Sequence, residues 1–68
     1  MLKTGTKVRT LRQYSETAVI CRRSKADRAA DVRYFGSVAK AAQWYLIRFD
    51  ADGRKALEHR EMLAVANS

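Results

Sequence analysis

The chain has 68 residues, and its 14 Lys and Arg residues against 7 Asp and Glu residues give a net charge of +7. A domain of this size buries only about 60% of the surface of its unfolded chain, so its core is small. One Cys and one His exclude an intrachain disulfide and a four-ligand zinc site. No apolar stretch approaches the length of about 18 residues that predicts a membrane span, and the N-terminus lacks a signal-peptide pattern. We therefore expect one basic, cytoplasmic domain over residues 1–68 that holds no metal or other cofactor.

Half of the basic residues lie within the first 25 positions, where Glu16 is the only acidic residue. Such asymmetry is typical of chains that bind a polyanion. Arginine also outnumbers lysine, and the planar guanidinium pairs bidentately with phosphate. The alternative is a solvated face that keeps a small domain soluble. The cations predicted to contact a nucleic acid are Lys7, Arg9, Arg12, Arg22, Arg23, Lys25, Arg33 and Lys40.

The first half of the chain predicts one strand and one ambiguous segment. Residues 6–12 alternate basic with β-branched or apolar side chains, which favours a half-buried strand. Residues 17–21 form a short apolar run that fits either a second strand or a buried loop. Ser24, followed three residues later by Asp27, has the spacing of a capping box. A helical turn or two is expected after it.

The second half is richer in strand signals. Residues 32–40 are β-prone, with a glycine in the middle that suggests a bulge. Residues 44–49 and 54–59 flank an Asp-Ala-Asp-Gly turn and predict a hairpin. A helical turn over residues 60–63 leads to a closing strand at 63–65. These elements predict an all-β fold, a small five-stranded barrel with a long first loop between Arg12 and Val32 and one short helical turn before the last strand.

Four segments resemble the strand signatures of SH3-like barrels: Gly-Thr-Lys-Val-Arg at 5–9, Phe-Gly-Ser-Val at 35–38, Tyr-Leu-Ile-Arg-Phe-Asp at 45–50 and Glu-Met-Leu-Ala-Val at 61–65. Together they span residues 5–65. Among such barrels the pattern is similar to the KOW and Tudor-like modules, and superficially to the small SH3-like component of photosystem I. The resemblance implies an SH3-like fold. Because this fold hosts many functions, it implies a binding module without naming its ligand.

Catalysis is not expected. The type II dihydrofolate reductases, which are SH3-like enzymes, line their pore with a Val-Gln-Ile-Tyr strand, whereas this chain has Lys-Ala-Leu-Glu at 55–58. We interpret His59, which has charged neighbours, as a solvated structural residue. Cys21 lies in an apolar run and is interpreted as a small core residue, with a reactive thiol beside Arg22 and Arg23 as the alternative.

A second candidate surface comes from the strand at 44–49. If Phe49 points inward, alternation places Trp44, Leu46 and Arg48 on the opposite face. These side chains could stack on bases or bind a partner protein. Alternatively, the long first loop covers them.

The leading hypothesis is therefore a small binding module that contacts the phosphate backbone of DNA or RNA with low sequence specificity. The alternative is a protein-interaction module, such as an accessory subunit of a larger assembly or a phage or plasmid inhibitor that docks on an acidic protein surface. Weak self-association is expected because the core is small and because a monomer would leave Trp44 and Leu46 exposed unless the long first loop covers them. The size also suggests a complete small reading frame of a mobile element.

Overall fold

A computed structural model describes residues 1–12 and 14–66 of the chain. The elements are β1 (Lys7–Thr10), β2 (Thr17–Ile20), α1 (Lys25–Phe35), α2 (Val38–Ala41), β3 (Trp44–Phe49), β4 (Lys55–His59), a 3-10 helix (Arg60–Met62) and β5 (Leu63–Val65).

The five strands form one antiparallel sheet in the order β4-β3-β2-β1-β5. The two edge strands, β4 and β5, are joined by the 3-10 helix alone. With strands about 4.8 Å apart, a flat sheet would separate its edges by about 19 Å. The four residue steps from His59 to Leu63 reach at most about 14 Å. The sheet is therefore strongly curled, although no β4–β5 pairing occurs within residues 1–12 and 14–66.

The core lies on the inner face of the curled sheet. Every second side chain of a strand points to this face. Phe49 and Ile47 point inward from β3, and Val8 does so from β1. Thr10 is also fully buried, and its hydroxyl accepts a hydrogen bond from the Glu16 N–H at 3.1 Å. The buried apolar residues are Val8, Ala18, Ile20, Ile47, Phe49 and Leu63.

The prediction of a strand over residues 32–40 is wrong. Ser24 caps α1, its Oγ accepting from the Asp27 N–H at 3.1 Å, and the helix continues to Phe35. Gly36 ends it with φ +91°, a left-handed conformation that glycine adopts at little cost. Ser37 then caps the short helix α2. The β-propensity of Val32 to Phe35 is overridden by this capped helix.

The predicted long first loop is also wrong, because β1 and β2 are separated only by residues 11–16. The segment between Arg12 and Val32 contains β2 and most of α1. Residues 17–20 are a strand, and the hairpin of β3 and β4 and the closing strand β5 are confirmed. The helical turn before β5 is a 3-10 helix. At the level of a small five-stranded, mainly β domain the fold prediction is confirmed. Helix α1 begins where a helical turn or two was expected after Ser24 and is longer than expected, and α2 was not predicted.

Within the described residues, no helix has both the length and the apolar character needed to cross a membrane.

Candidate anion-binding surface

The outer face of the curled sheet is divided into a half that α1 covers and a half that is open. On the covered half, the Phe35 ring stacks on the Trp44 ring with centroids 4.9 Å apart and planes 13° from parallel. His59 meets Trp44 edge-on at 5.3 Å. Trp44 and Leu46 are consequently half-buried. The helix, rather than a loop, covers this part of the sheet.

The open half carries four basic side chains, Lys7, Arg9, Arg48 and Lys55, here called the basic sheet surface. The strand register places three of them in one row, because Lys7 pairs with Val19, Val19 with Arg48, and Arg48 with Lys55. Directly opposed residues of paired strands point to the same face. Arg9 lies two residues from Lys7 on β1 and therefore shares that face. The register thus brings cations from distant sequence positions into one patch.

The charge of the basic sheet surface is only partly neutralised. Lys7 donates to Asp50 Oδ2 at 2.6 Å, and this bond together with one from Thr17 lowers the pKa of the Asp50 carboxyl. Arg9, Arg48 and Lys55 are exposed and make no ion pair within the described part of the chain. These three cations are therefore available to an anionic ligand.

Arg12, a predicted binding residue, is engaged elsewhere. Its guanidinium donates to both carboxylate oxygens of Glu58, with the shortest contact 2.6 Å from Nη2 to Oε1. Glu58 lies on the inner face of β4 and is only 5% exposed. The pair ties the end of β1 to the edge strand β4. We therefore assign Arg12 to the fold and not to the anion-binding surface.

Arg23 is engaged in the same way. It donates to both oxygens of Asp31, at 2.9 and 2.8 Å, and lies 3.5 Å from a carboxylate oxygen of Asp27. The hydrogen bonds between the two side chains lower the pKa of Asp31 and raise the pKa of Arg23. Asp31 is the buried residue of α1. The pair thus fastens α1 to the segment that follows β2.

The other predicted cations, Arg22, Lys25, Arg33 and Lys40, lie outside the core. All four are exposed: Arg22 lies in the segment that follows β2, Lys25 and Arg33 lie on α1, and Lys40 lies on α2. The sheet register does not bring any of the four into the basic sheet surface.

The structure therefore brings together only Lys7 and Arg9 of the eight predicted residues. It adds Arg48, which was assigned to the stripe on β3, and Lys55, which the sequence analysis missed. The signal for Lys55 was available, since the turn at residues 50–53 sets it opposite Arg48.

The predicted stripe of Trp44, Leu46 and Arg48 is split. Trp44 and Leu46 are half-buried on the side of the sheet that α1 covers, whereas Arg48 is exposed on the open half. Trp44 has one ring face occupied by Phe35 and is poorly placed to stack on a base.

Cys21 and His59 each make a contact within the fold. Cys21 is half-buried, with its Sγ 3.7 Å from the Val19 carbonyl oxygen. His59 Nδ1 accepts from the Glu61 N–H at 3.1 Å and so caps the 3-10 helix. Across residues 1–12 and 14–66, no cluster of three or more His, Cys, Asp or Glu side chains could hold a metal ion.

Comparisons of the chain with protein-family models, with curated protein sequences and with solved structures found no match.

Proposed function

We propose that the protein is an SH3-like module that binds the phosphate backbone of a nucleic acid, without strong sequence preference, through the basic sheet surface. The observation that carries this proposal is the alignment of Lys7, Arg48 and Lys55 across four strands, with Arg9 beside them. The strand order, in which β5 returns to β1, and the curl of the sheet support the SH3-like barrel.

The charge balance supports a polyanionic ligand. Four basic residues, Lys7, Arg12, Arg23 and Arg54, pair with six of the seven carboxylates in the described residues. The internal ion pairs thus consume most of the acidic groups, and the exposed cations of the open face remain available. Release of condensed counterions by such cations supplies the free energy of backbone binding.

The side chains around these cations support backbone contact over base stacking. Thr17 and Val19 lie between β1 and β3 on the open face, whereas Phe35 and Trp44 stack on one another under α1. Stacking platforms for single strands use exposed aromatic side chains within a basic groove. A duplex, whose phosphates are recognised without access to the bases, fits the basic sheet surface better.

The proposal is tested by titrating a labelled duplex and a labelled single strand of the same length at several salt concentrations. Three or four phosphate contacts predict a slope of log K against log salt of about −2.7 to −3.6 on duplex DNA. Unrelated duplex sequences should bind with similar affinities. If neither nucleic acid binds at low salt, the proposed function is wrong. Binding with a slope near zero would also contradict it.

A further inference from the structure

The edge strand β4 carries a feature that is separate from the basic sheet surface. Leu46 C=O accepts from the Cys21 N–H at 2.8 Å, so the backbone of Leu46 points to β2 and away from its β4 partner, Leu57. On the same strand pair, Phe49 N–H donates to Arg54 C=O and Arg60 N–H donates to Gln43 C=O. In an antiparallel pair such bonded positions alternate with unbonded ones. The residues that direct their backbone N–H and C=O groups away from β3 are therefore Lys55, Leu57 and His59.

These outward backbone groups have no strand partner in the described chain, because β4 pairs with β3 alone. An unpaired edge of this kind is a template for one more strand. The side chains of two residues on this edge, Lys55 and Leu57, differ in their surroundings. Lys55 is exposed, whereas Leu57 lies on the outer face beside α1.

Next to this edge, α1 and the sheet form an open apolar groove. The groove is lined by Ala30, Asp31, Tyr34, Phe35, Trp44 and Leu57. Tyr34 forms an exposed wall, with 84% of its surface accessible, and it meets Phe35 edge-on at 4.9 Å. In a strand added to β4, the residue paired with Leu57 would point to the same face of the sheet as Leu57. Its side chain would therefore enter this groove.

The charges around the groove indicate the partner. Asp31, the one acidic lining residue, pairs with Arg23, which also lies 3.5 Å from a carboxylate oxygen of Asp27. Lys55 at one end of β4 and Arg33 beside Tyr34 on α1 make no ion pair in the part of the chain that the structure describes. A second copy of this chain, with its net charge of +7, is disfavoured by charge at this edge. An acidic segment would be attracted.

We propose that β4 captures an extended, acidic peptide of a partner protein by strand addition, with one large apolar side chain of the peptide in the groove between Leu57 and Tyr34. In this mode the main-chain hydrogen bonds supply affinity and the side-chain pocket supplies specificity. The site is distinct from the basic sheet surface, with which it shares only Lys55.

The test begins with selection from a displayed library of random peptides against the intact protein. The selected peptides should be acidic, alternate in polarity and contain one large apolar residue. A synthetic selected peptide should slow hydrogen exchange of the amides of Lys55, Leu57 and His59. Tyr34→Ala should weaken its binding about tenfold or more, as loss of an aromatic hot spot does, while the circular dichroism spectrum stays unchanged because Tyr34 is exposed.

Two substitutions at one position separate backbone pairing from charge. Lys55→Pro removes an outward N–H at the first residue of an edge strand, a place where proline is tolerated, and should abolish peptide binding. Lys55→Thr keeps the N–H and should retain most of it. The proposal is overturned if no selected peptide protects these amides, or if binding survives both Lys55→Pro and Tyr34→Ala. It is also overturned if the free protein forms dimers that protect the same amides.

Discussion

Arg22 and Arg23 are neighbours with different roles. Arg23 forms a bidentate ion pair with Asp31 and so holds α1 in place. Arg22 makes no ion pair in the described chain. Two adjacent residues of identical chemistry thus differ because only one of them faces the helix. The sequence predicts that both arginines bind an anion, because the ion pair of Arg23 with Asp31 forms only once α1 packs beside it.

Arg23→Gln should lower the free energy of unfolding by about 2 kcal/mol, because it leaves the carboxylate of Asp31 without its charged donor. Arg22→Gln is the matched control and should change stability by no more than about 0.5 kcal/mol. Chemical denaturation of both variants measures the difference. Equal stability of the two variants would contradict the structural role of Arg23.

Acid should remove the contribution of Asp31 to stability. Its pKa is lower in the folded protein than in the unfolded chain because Arg23 hydrogen-bonds to the charged form. That contribution is therefore complete above the ordinary Asp pKa of about 4 and is lost as the pH falls through the lowered folded value. The difference in unfolding free energy between the protein and Asp31→Asn should be largest near neutral pH and shrink in acid. A difference that does not change with pH would contradict this account.

At the scale of elements, the segment from Val32 to Gly36 shows what decides between helix and strand. Valine, tyrosine and phenylalanine favour strands by propensity. The serine cap at Ser24, the alanines that follow it and the left-handed Gly36 favour a helix instead. Phe35, the last residue of α1, packs on Trp44 and so stabilises the helix. The cap was recognisable in the sequence, whereas the packing partner was not, because it lies on a strand formed later in the chain.

Substitution of Gly36 tests this helix end. Gly36 has φ +91° and nothing within 4 Å of an added Cβ, so its cost is one of backbone conformation only. Gly36→Ala should destabilise the protein by about 1 kcal/mol. Gly36→Asn should cost less, because asparagine tolerates the left-handed region. Thermal unfolding followed by circular dichroism gives both values. An alanine variant as stable as the asparagine variant would contradict the capping role.

At the scale of the whole molecule, the β3–β4 hairpin was predictable, because alternation and the Asp-Gly turn are local signals. The β1–β2 hairpin was not, because the apolar run at 17–21 fits either a strand or a buried loop. The basic sheet surface was only half predictable. It depends on the registers of three strand pairs, which join Lys7 to Arg48 and Lys55 across most of the chain. Weak self-association stays a prediction, and its reason is weaker, since Trp44 and Leu46 are half-buried.

We expect a polyanion to bind at the basic sheet surface and not at every positively charged part of the protein. Two triple variants with the same net charge separate these possibilities. The first carries Gln at the three unpaired positions of the surface, and the second carries Gln at three basic positions outside it. The sets are Arg9, Arg48 and Lys55, and Arg22, Arg33 and Lys40.

The most direct measurement is the salt dependence of duplex DNA binding for the protein and both triple variants. The first variant should reduce the steepness of log K against log salt by about 2.7, because three phosphate contacts are lost. The second variant should keep the slope of the unmodified protein. Equal reductions in the two variants would contradict a localised binding surface.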